Sequence, residues 1–155
     1  MRRMFTYVLI AAAAYGGLTA LLFIFQRNLL YHPSSGNMDP VVYGVSQMAR
    51  VHIQTQDGLN LLAWYRPAQA GKQTFLFLQG NAGHIGHRSG KVRYYLEEGY
   101  GVLLLGYRGY GSNAGSPTEG NLYIDGRAGM KFLEDRHVPV QRIVIYGESL
   151  EVIPL

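Results

Sequence analysis

The chain has 155 residues, 48% hydrophobic and 15% charged, a balance that suits one folded domain and excludes an intrinsically disordered polypeptide. Its net charge of +4 comes from 11 arginines and three lysines scattered along the sequence, with no basic run interleaved with aromatics, so a nucleic-acid surface is not expected. There is no cysteine, which excludes disulfides and thiolate metal sites.

Residues 4–25 carry no charge. As a helix this stretch spans about 33 Å, enough for a hydrocarbon core of about 30 Å. A cleaved signal peptide would have a shorter apolar region ending in a small-x-small site. Here Leu21-Leu22-Phe23-Ile24-Phe25 stays apolar up to Gln26-Arg27, so residues 1–27 read as an uncleaved single-pass anchor. Arg2, Arg3 and the terminal amine outweigh Arg27, which predicts a cytoplasmic N-terminus and a domain on the periplasmic or other non-cytoplasmic side.

Residues 28–48, with Pro33, Ser34-Ser35-Gly36-Asn37 and Pro40, read as a connector, and residues 49–155 as the domain. Residues 51–55 alternate, then Asp57-Gly58 precedes a second apolar stretch at 59–65, the pattern of a β-hairpin. Residues 74–78 form a continuous apolar run, as a buried strand should. Residues 87–98 place Val92, Tyr95 and Leu96 at helical spacing, and Gly99 closes that helix. Residues 102–105 predict another buried strand. A second helix is predicted over 122–136 with Ile124, Met130 and Leu133 facing the core, and Val144 lies in a last strand. Strands alternating with helices predict an α/β class: a hairpin leading into a parallel sheet through crossover helices.

Three motifs carry chemistry. The run Arg142-Ile143-Val144-Ile145-Tyr146 breaks into Gly147-Glu148-Ser149, the way a strand delivers a nucleophilic serine on a sharp turn before a helix. The alternative is an ordinary strand-to-helix turn with Ser149 as its cap. Gln79-Gly80-Asn81-Ala82-Gly83 follows the first parallel strand, where small residues let backbone N–H groups reach a developing oxyanion. Tyr107-Arg108-Gly109-Tyr110-Gly111-Ser112 contains Gly109-x-Gly111-x-x-Ala114, which formally matches a dinucleotide fingerprint. That fingerprint should open a helix, whereas Gly115-Ser116-Pro117 keeps the chain in a loop, so no nucleotide cofactor is expected. His84 and His87 lack an evident third ligand and read as solvent-facing or helix-start residues; no metal is expected.

At these spacings, Gly80-Asn81-Ala82-Gly83 with Arg88, Tyr107-Arg108-Gly109-Tyr110-Gly111 and Gly147-Glu148-Ser149-Leu150 resemble the α/β-hydrolase superfamily. They look most like its single-anchor members related to fungal bud-emergence proteins and to serine-aminopeptidase-like hydrolases. The resemblance runs from Phe25-Gln26-Arg27-Asn28-Leu29-Leu30-Tyr31-His32-Pro33 to Leu150 and covers the N-terminal half of the family's domain.

The resemblance implies the N-terminal half of an α/β-hydrolase fold behind one transmembrane helix, truncated at the nucleophile elbow. It implies a serine hydrolase cleaving an ester, thioester or amide of a small acyl substrate, with Ser149 as nucleophile and the backbone amides of Asn81 and Leu150 as oxyanion donors. Gln79 stands where relatives have His, Gly106 where many have Asp, and Glu151 where they have Gly. Hydrolases of this layout place the acid and histidine after the serine, yet all five histidines precede Ser149. The chain as given is therefore expected to turn over little or nothing. The competing expectation is a non-catalytic, membrane-anchored pseudoenzyme or interaction fragment. Nothing in the sequence indicates an oligomeric state.

Overall fold

The computed structural model describes residues 2–148 and divides the chain into two units, residues 1–31 and residues 32–155. The first is a single helix, α1 (Arg2–Leu30), with no buried residue. By length and composition it can cross a membrane, and it continues through the polar break at Gln26-Arg27. Inside it, the Thr6 and Thr19 hydroxyls donate to the carbonyls of Arg2 and Tyr15, and the Gln26 amide to that of Phe23. Such local bonds pair polar side chains with carbonyls one turn back along the helix.

The second unit begins with β1 (His32–Pro33) and a 3₁₀ turn, Pro40–Tyr43, capped by the Asp39 carboxylate. The residues read as a connector are thus structured. Strands β2 (Ala49–Gln54) and β3 (Asn60–Arg66) form the expected hairpin, Ala49 opposite Tyr65. Next come β4 (Thr74–Leu78), β5 (Ala82–Gly83), α2 (Ser89–Glu97), β6 (Gly101–Leu105), α3 (Glu119–Glu134) and β7 (Ile143–Gly147). The main sheet has the order β2-β3-β6-β4-β7. Strand β6 pairs antiparallel with β3 and parallel with β4, and β4 is parallel to β7. A separate two-stranded parallel pair joins β1 to β5.

Side chains alternate across the sheet with the strand period of two. Leu62, Trp64, Phe77, Val102 and Leu104 pack with Val92 and Leu96 of α2 on one face. The buried indole of Trp64 donates to the Met38 carbonyl at 3.1 Å. On the other face α3 approaches so closely that a Cβ on Gly129 would meet Leu76 Cδ1 at 3.1 Å and Leu105 Cδ2 at 3.3 Å. The buried face of α3 holds Leu122, Asp125, Gly126, Gly129 and Leu133. Leu133 was anticipated. Ile124 and Met130 are only half-buried, because the helix turns its small residues toward the sheet.

Asp125 is fully buried because Arg108, itself 3% exposed, meets it there. The Arg108 backbone N–H donates to Asp125 Oδ2 at 2.9 Å, and its Nε and Nη2 donate to Oδ1 at 2.9 and 2.6 Å. The same guanidinium forks onto Asp57, Nη1 to Oδ2 at 2.7 Å and Nη2 to Oδ1 at 3.1 Å. One arginine thus ties the hairpin turn, the loop after β6 and α3 together. Burial pushes the Asp125 carboxyl up against the pull of Arg108, while the exposed Asp57 is held well below the usual carboxylate range by Arg108 and then Thr55. Asn113 staples the same loop: its Oδ1 accepts from Leu62 N–H at 2.7 Å, and its Nδ2 donates to the Leu62 and Gly106 carbonyls.

Removing one partner of a buried ion pair leaves the other charge underserved in low dielectric. Asp125→Ala is expected to lower unfolding stability of the full chain by about 3 kcal/mol, measured by denaturant titration in detergent. A loss of only a few tenths would show that Asp57 alone satisfies Arg108.

Candidate active site

The parallel pairing of β4 with β7 sets Leu78 beside Gly147, and the ladder runs one bond further, Glu148 N–H to Leu78 O at 3.1 Å. Residues 79–83 and the Gly147-Glu148 corner therefore leave the same end of the sheet. Ser149 and Leu150 lie outside the described residues, so the placement of the serine rests on its sequence position after Glu148. Asn81 is described and half-buried.

The loop 79–83 is bound from two sides. The Asn81 carbonyl accepts from His32 N–H at 2.8 Å and from the Tyr110 hydroxyl at 2.9 Å. The Gly83 carbonyl accepts from Ser34 N–H at 3.0 Å, and the Ser34 carbonyl accepts from Gly111 N–H at 3.0 Å. Residues 32–34 and the Tyr107-to-Gly111 motif together fix the course of the loop. No helix opens directly after this motif; the next begins at Glu119. Gln79 is fully buried, and its amide has no partner among the described residues. At Gly106 a Cβ would lie 2.4 Å from the Leu62 carbonyl oxygen, so this backbone leaves no room for a side chain there.

Of its two readings, solvent-facing or helix-start, His84 takes the second, and it is buried. It caps the 3₁₀ turn Ile85–Arg88, its Nδ1 accepting from Gly86 N–H at 3.1 Å, which leaves the ring proton on Nε2. Burial, then His87 and Arg88, push its pKa down. The His87 ring lies tilted against it, with ring centroids 3.9 Å apart. Among the described residues no group of three His, Cys, Asp or Glu could hold a metal ion.

Sequence reading missed the partners of the corner itself. Glu148, the residue before Ser149, accepts from Arg88 Nε at 3.0 Å and from Lys91 Nζ. Burial pushes its carboxyl up, but the hydrogen bonds from Lys91 and Arg88 outweigh that and hold it below the ordinary value. Two cations three residues apart at the start of α2, facing an acid inside Gly-x-Ser, were the available signal. A groove of about 570 Å³ lies elsewhere, between β2 and α3, lined by His52, Gln54, Ile124, Arg127 and Phe132 among others; it takes no part in this arrangement.

Comparison with known proteins agrees with this geometry. An uncharacterized protein of Mycobacterium tuberculosis is 37% identical over 147 residues, matching 92% of this chain and 52% of the relative. The α/β-hydrolase domain-containing protein WAV2 of Arabidopsis thaliana is 34% identical, with 95% and 52% covered. Protein bem46 of Schizosaccharomyces pombe is 29% identical, with 83% and 46% covered. The esterase Pf2001 of Pyrococcus furiosus superposes with a TM-score of 0.62 at 27% identity, covering 76% of this chain and 48% of that structure. The chain belongs to the α/β-hydrolase superfamily. It carries that fold's hairpin and first parallel strands, and it spans about half the length of the curated relatives it matches. An uncharacterized membrane protein of Saccharomyces cerevisiae is also 32% identical, with 87% and 52% covered. No family model matches the chain.

The Glu148 clamp makes a signed prediction. A carboxyl with a lowered folded pKa contributes stability above its unfolded value of 4.5, and loses it as pH falls through the folded value. Wild type is expected to exceed Glu148→Gln by about 1 kcal/mol at pH 6, with the gap closing by pH 3 in urea titrations. A gap that persists at pH 3 would mean that the ion pairs do not carry it.

Proposed function

We propose that the protein is a membrane-anchored serine hydrolase that cleaves an ester, thioester or amide by acyl transfer. The observation that supports this reading is the Leu78–Gly147 register, which sends the glycine-rich loop and Glu148, the residue before Ser149 in sequence, out of one end of a parallel sheet. Ligands of open α/β sheets bind outside the carboxyl ends of the strands. In the proposed reaction Ser149 Oγ attacks the acyl carbon, and the backbone amides of Asn81 and Leu150 hold the oxygen as it gains charge. A base must accept the serine proton during attack. His84 is a poor candidate, since Nδ1 is committed to Gly86 and the ring is buried. In the family's order the base and its acid follow the serine.

The helix Arg2–Leu30 supports anchoring, as does the relative described as a membrane protein. Arg2 and Arg3 favour a cytoplasmic N-terminus and a domain on the other side. A small acyl compound would be the substrate, and no feature calls for nucleic acid or a cofactor. The second reading is a non-catalytic anchored pseudoenzyme or interaction chain, favoured by Glu151 where the family resemblance implies Gly.

A fluorophosphonate probe on the purified 155-residue chain separates the two. The hydrolase reading expects slow labelling that disappears in Ser149→Ala, with ester turnover orders of magnitude below that of a complete triad. Equal signal from wild type and Ser149→Ala would remove the nucleophile from the account.

A further inference from the structure

The groove of about 570 Å³ between β2 and α3 runs along an edge of the main sheet. Among the described residues β2 pairs with β3 alone. Thr55 donates its N–H to the Leu59 carbonyl at 2.9 Å, and hydrogen-bonded pairs alternate with open pairs along an antiparallel ladder. Ile53 and Val51 therefore turn their backbone groups toward Leu61 and Ala63, while Arg50, His52 and Gln54 turn theirs away from β3. The facing strand has the same phase: Leu62, opposite His52, gives its N–H to Asn113 Oδ1 at 2.7 Å and not to β2. One wall of the groove is thus a row of backbone donors and acceptors at strand spacing.

The other wall comes from α3. Ile124, Ala128 and Phe132 recur every four residues and share one stripe of that helix, and with Ile53 they give the groove an apolar lining. Arg127 and Lys131 form the adjoining stripe. Lys131 is paired with Asp135 at 2.7 Å, whereas Arg127 is exposed and joins no ion pair among the described residues. The same holds for Arg50, exposed on β2. Side chains alternate along a strand, so Arg50 and His52 stand on the opposite face of β2 from Ile53. A strand added to this edge alternates likewise, with one set of side chains over Ile53 and α3 and the other beside Arg50 and His52.

We propose that this groove binds an extended acidic segment of a partner protein, which adds a strand to β2. Main-chain hydrogen bonds to Arg50, His52 and Gln54 hold the segment, and its alternate side chains give specificity. Its apolar set lies over Ile124, Ala128 and Phe132. Its carboxylates lie beside Arg50, and Arg127 takes a further one from the helix side. Charge selects this occupant over a second copy of the chain. A two-fold pairing of edges sets one patch against itself and would crowd Arg50, His52 and Arg127 onto their own counterparts. Like charges across paired strands are destabilising, so the cations that guard the edge against self-pairing admit a strand of opposite charge. The groove shares no residue with loop 79–83 or with Glu148, and the proposal is independent of the nucleophile.

The test uses the full chain in detergent and a fluorescein-labelled peptide of alternating glutamate and valine, followed by fluorescence anisotropy. Saturable binding is expected, about tenfold tighter than that of a lysine–valine counterpart, and about tenfold weaker in the double variant Arg50→Glu/Arg127→Glu. Arg142→Glu, an exposed change just before β7 at the other side of the sheet, is expected to bind as wild type does. Hydrogen exchange of the wild-type chain gives a second readout. The peptide is expected to slow the outward amides of His52 and Gln54 by about tenfold. No saturable binding, equal binding of the lysine peptide, or an equal loss in Arg142→Glu overturns the charge-selected groove. Binding without protection at 52 and 54 overturns strand addition. Self-association of the chain alone, seen by sedimentation and altered in the double variant, assigns the edge to a second copy and overturns the proposal as well. Neither readout passes through Ser149, so their failure is distinct from a failed fluorophosphonate test.

Discussion

The parallel alignment of β4 with its neighbours β6 and β7 is the constraint on which the site depends. Register places Leu78 beside both Leu105 and Gly147, so three loops leave the sheet at one end: residues 79–83, the Tyr107-to-Gly111 motif, and the Gly147-Glu148 corner. A slip of one residue would turn each strand's apolar side chains to the wrong face. Phe77, Leu104 and Trp64 on one face, with Leu76, Leu105 and Leu61 on the other, are all at or below 1% exposed, and that burial holds the register. The stacked rings of Phe77 and Tyr146, 4.5 Å apart, extend the same alignment to β7.

Around that end, buried polar groups do what apolar packing cannot: they fix loops. Arg108 satisfies Asp125 and Asp57 together, Asn113 closes the loop after β6, and Tyr110 and His32 share the Asn81 carbonyl. Each bond contributes modestly on its own, but a buried donor or acceptor left unmade costs about 1–3 kcal/mol, so loop conformations lacking these partners are disfavoured. The Arg88 and Lys91 contacts to Glu148 apply the same logic to the corner before the serine.

What the sequence disclosed follows from which interactions leave a pattern. Strand β4 was legible to the residue and β6 within one, because continuous apolar runs mark strands buried on both faces. The hairpin was legible through Asp57-Gly58. The face of α3 was not, because Ile124 and Met130 satisfy an apolar period while the helix buries Asp125, held by Arg108, and presents Gly129 to the sheet. Residues 28–48 looked like a plain connector because β1 is held by backbone hydrogen bonds, which leave no side-chain signature. The Glu148 clamp joins residues 57 and 60 positions apart, beyond the reach of local spacing. His84 is the helix-start residue of its two readings, and spacing alone could not show that its ring caps the turn from inside the fold.

The claim that the corner residue and the start of α2 meet at the loop end can be tested by zero-length carbodiimide coupling of the full chain. That reagent joins an amine and a carboxylate only when they are in contact. The account predicts an amide between Lys91 and Glu148, identified by mass spectrometry and absent from Glu148→Gln. Lys91 coupled only to other acids, with Glu148 unmodified by its amine, would contradict it.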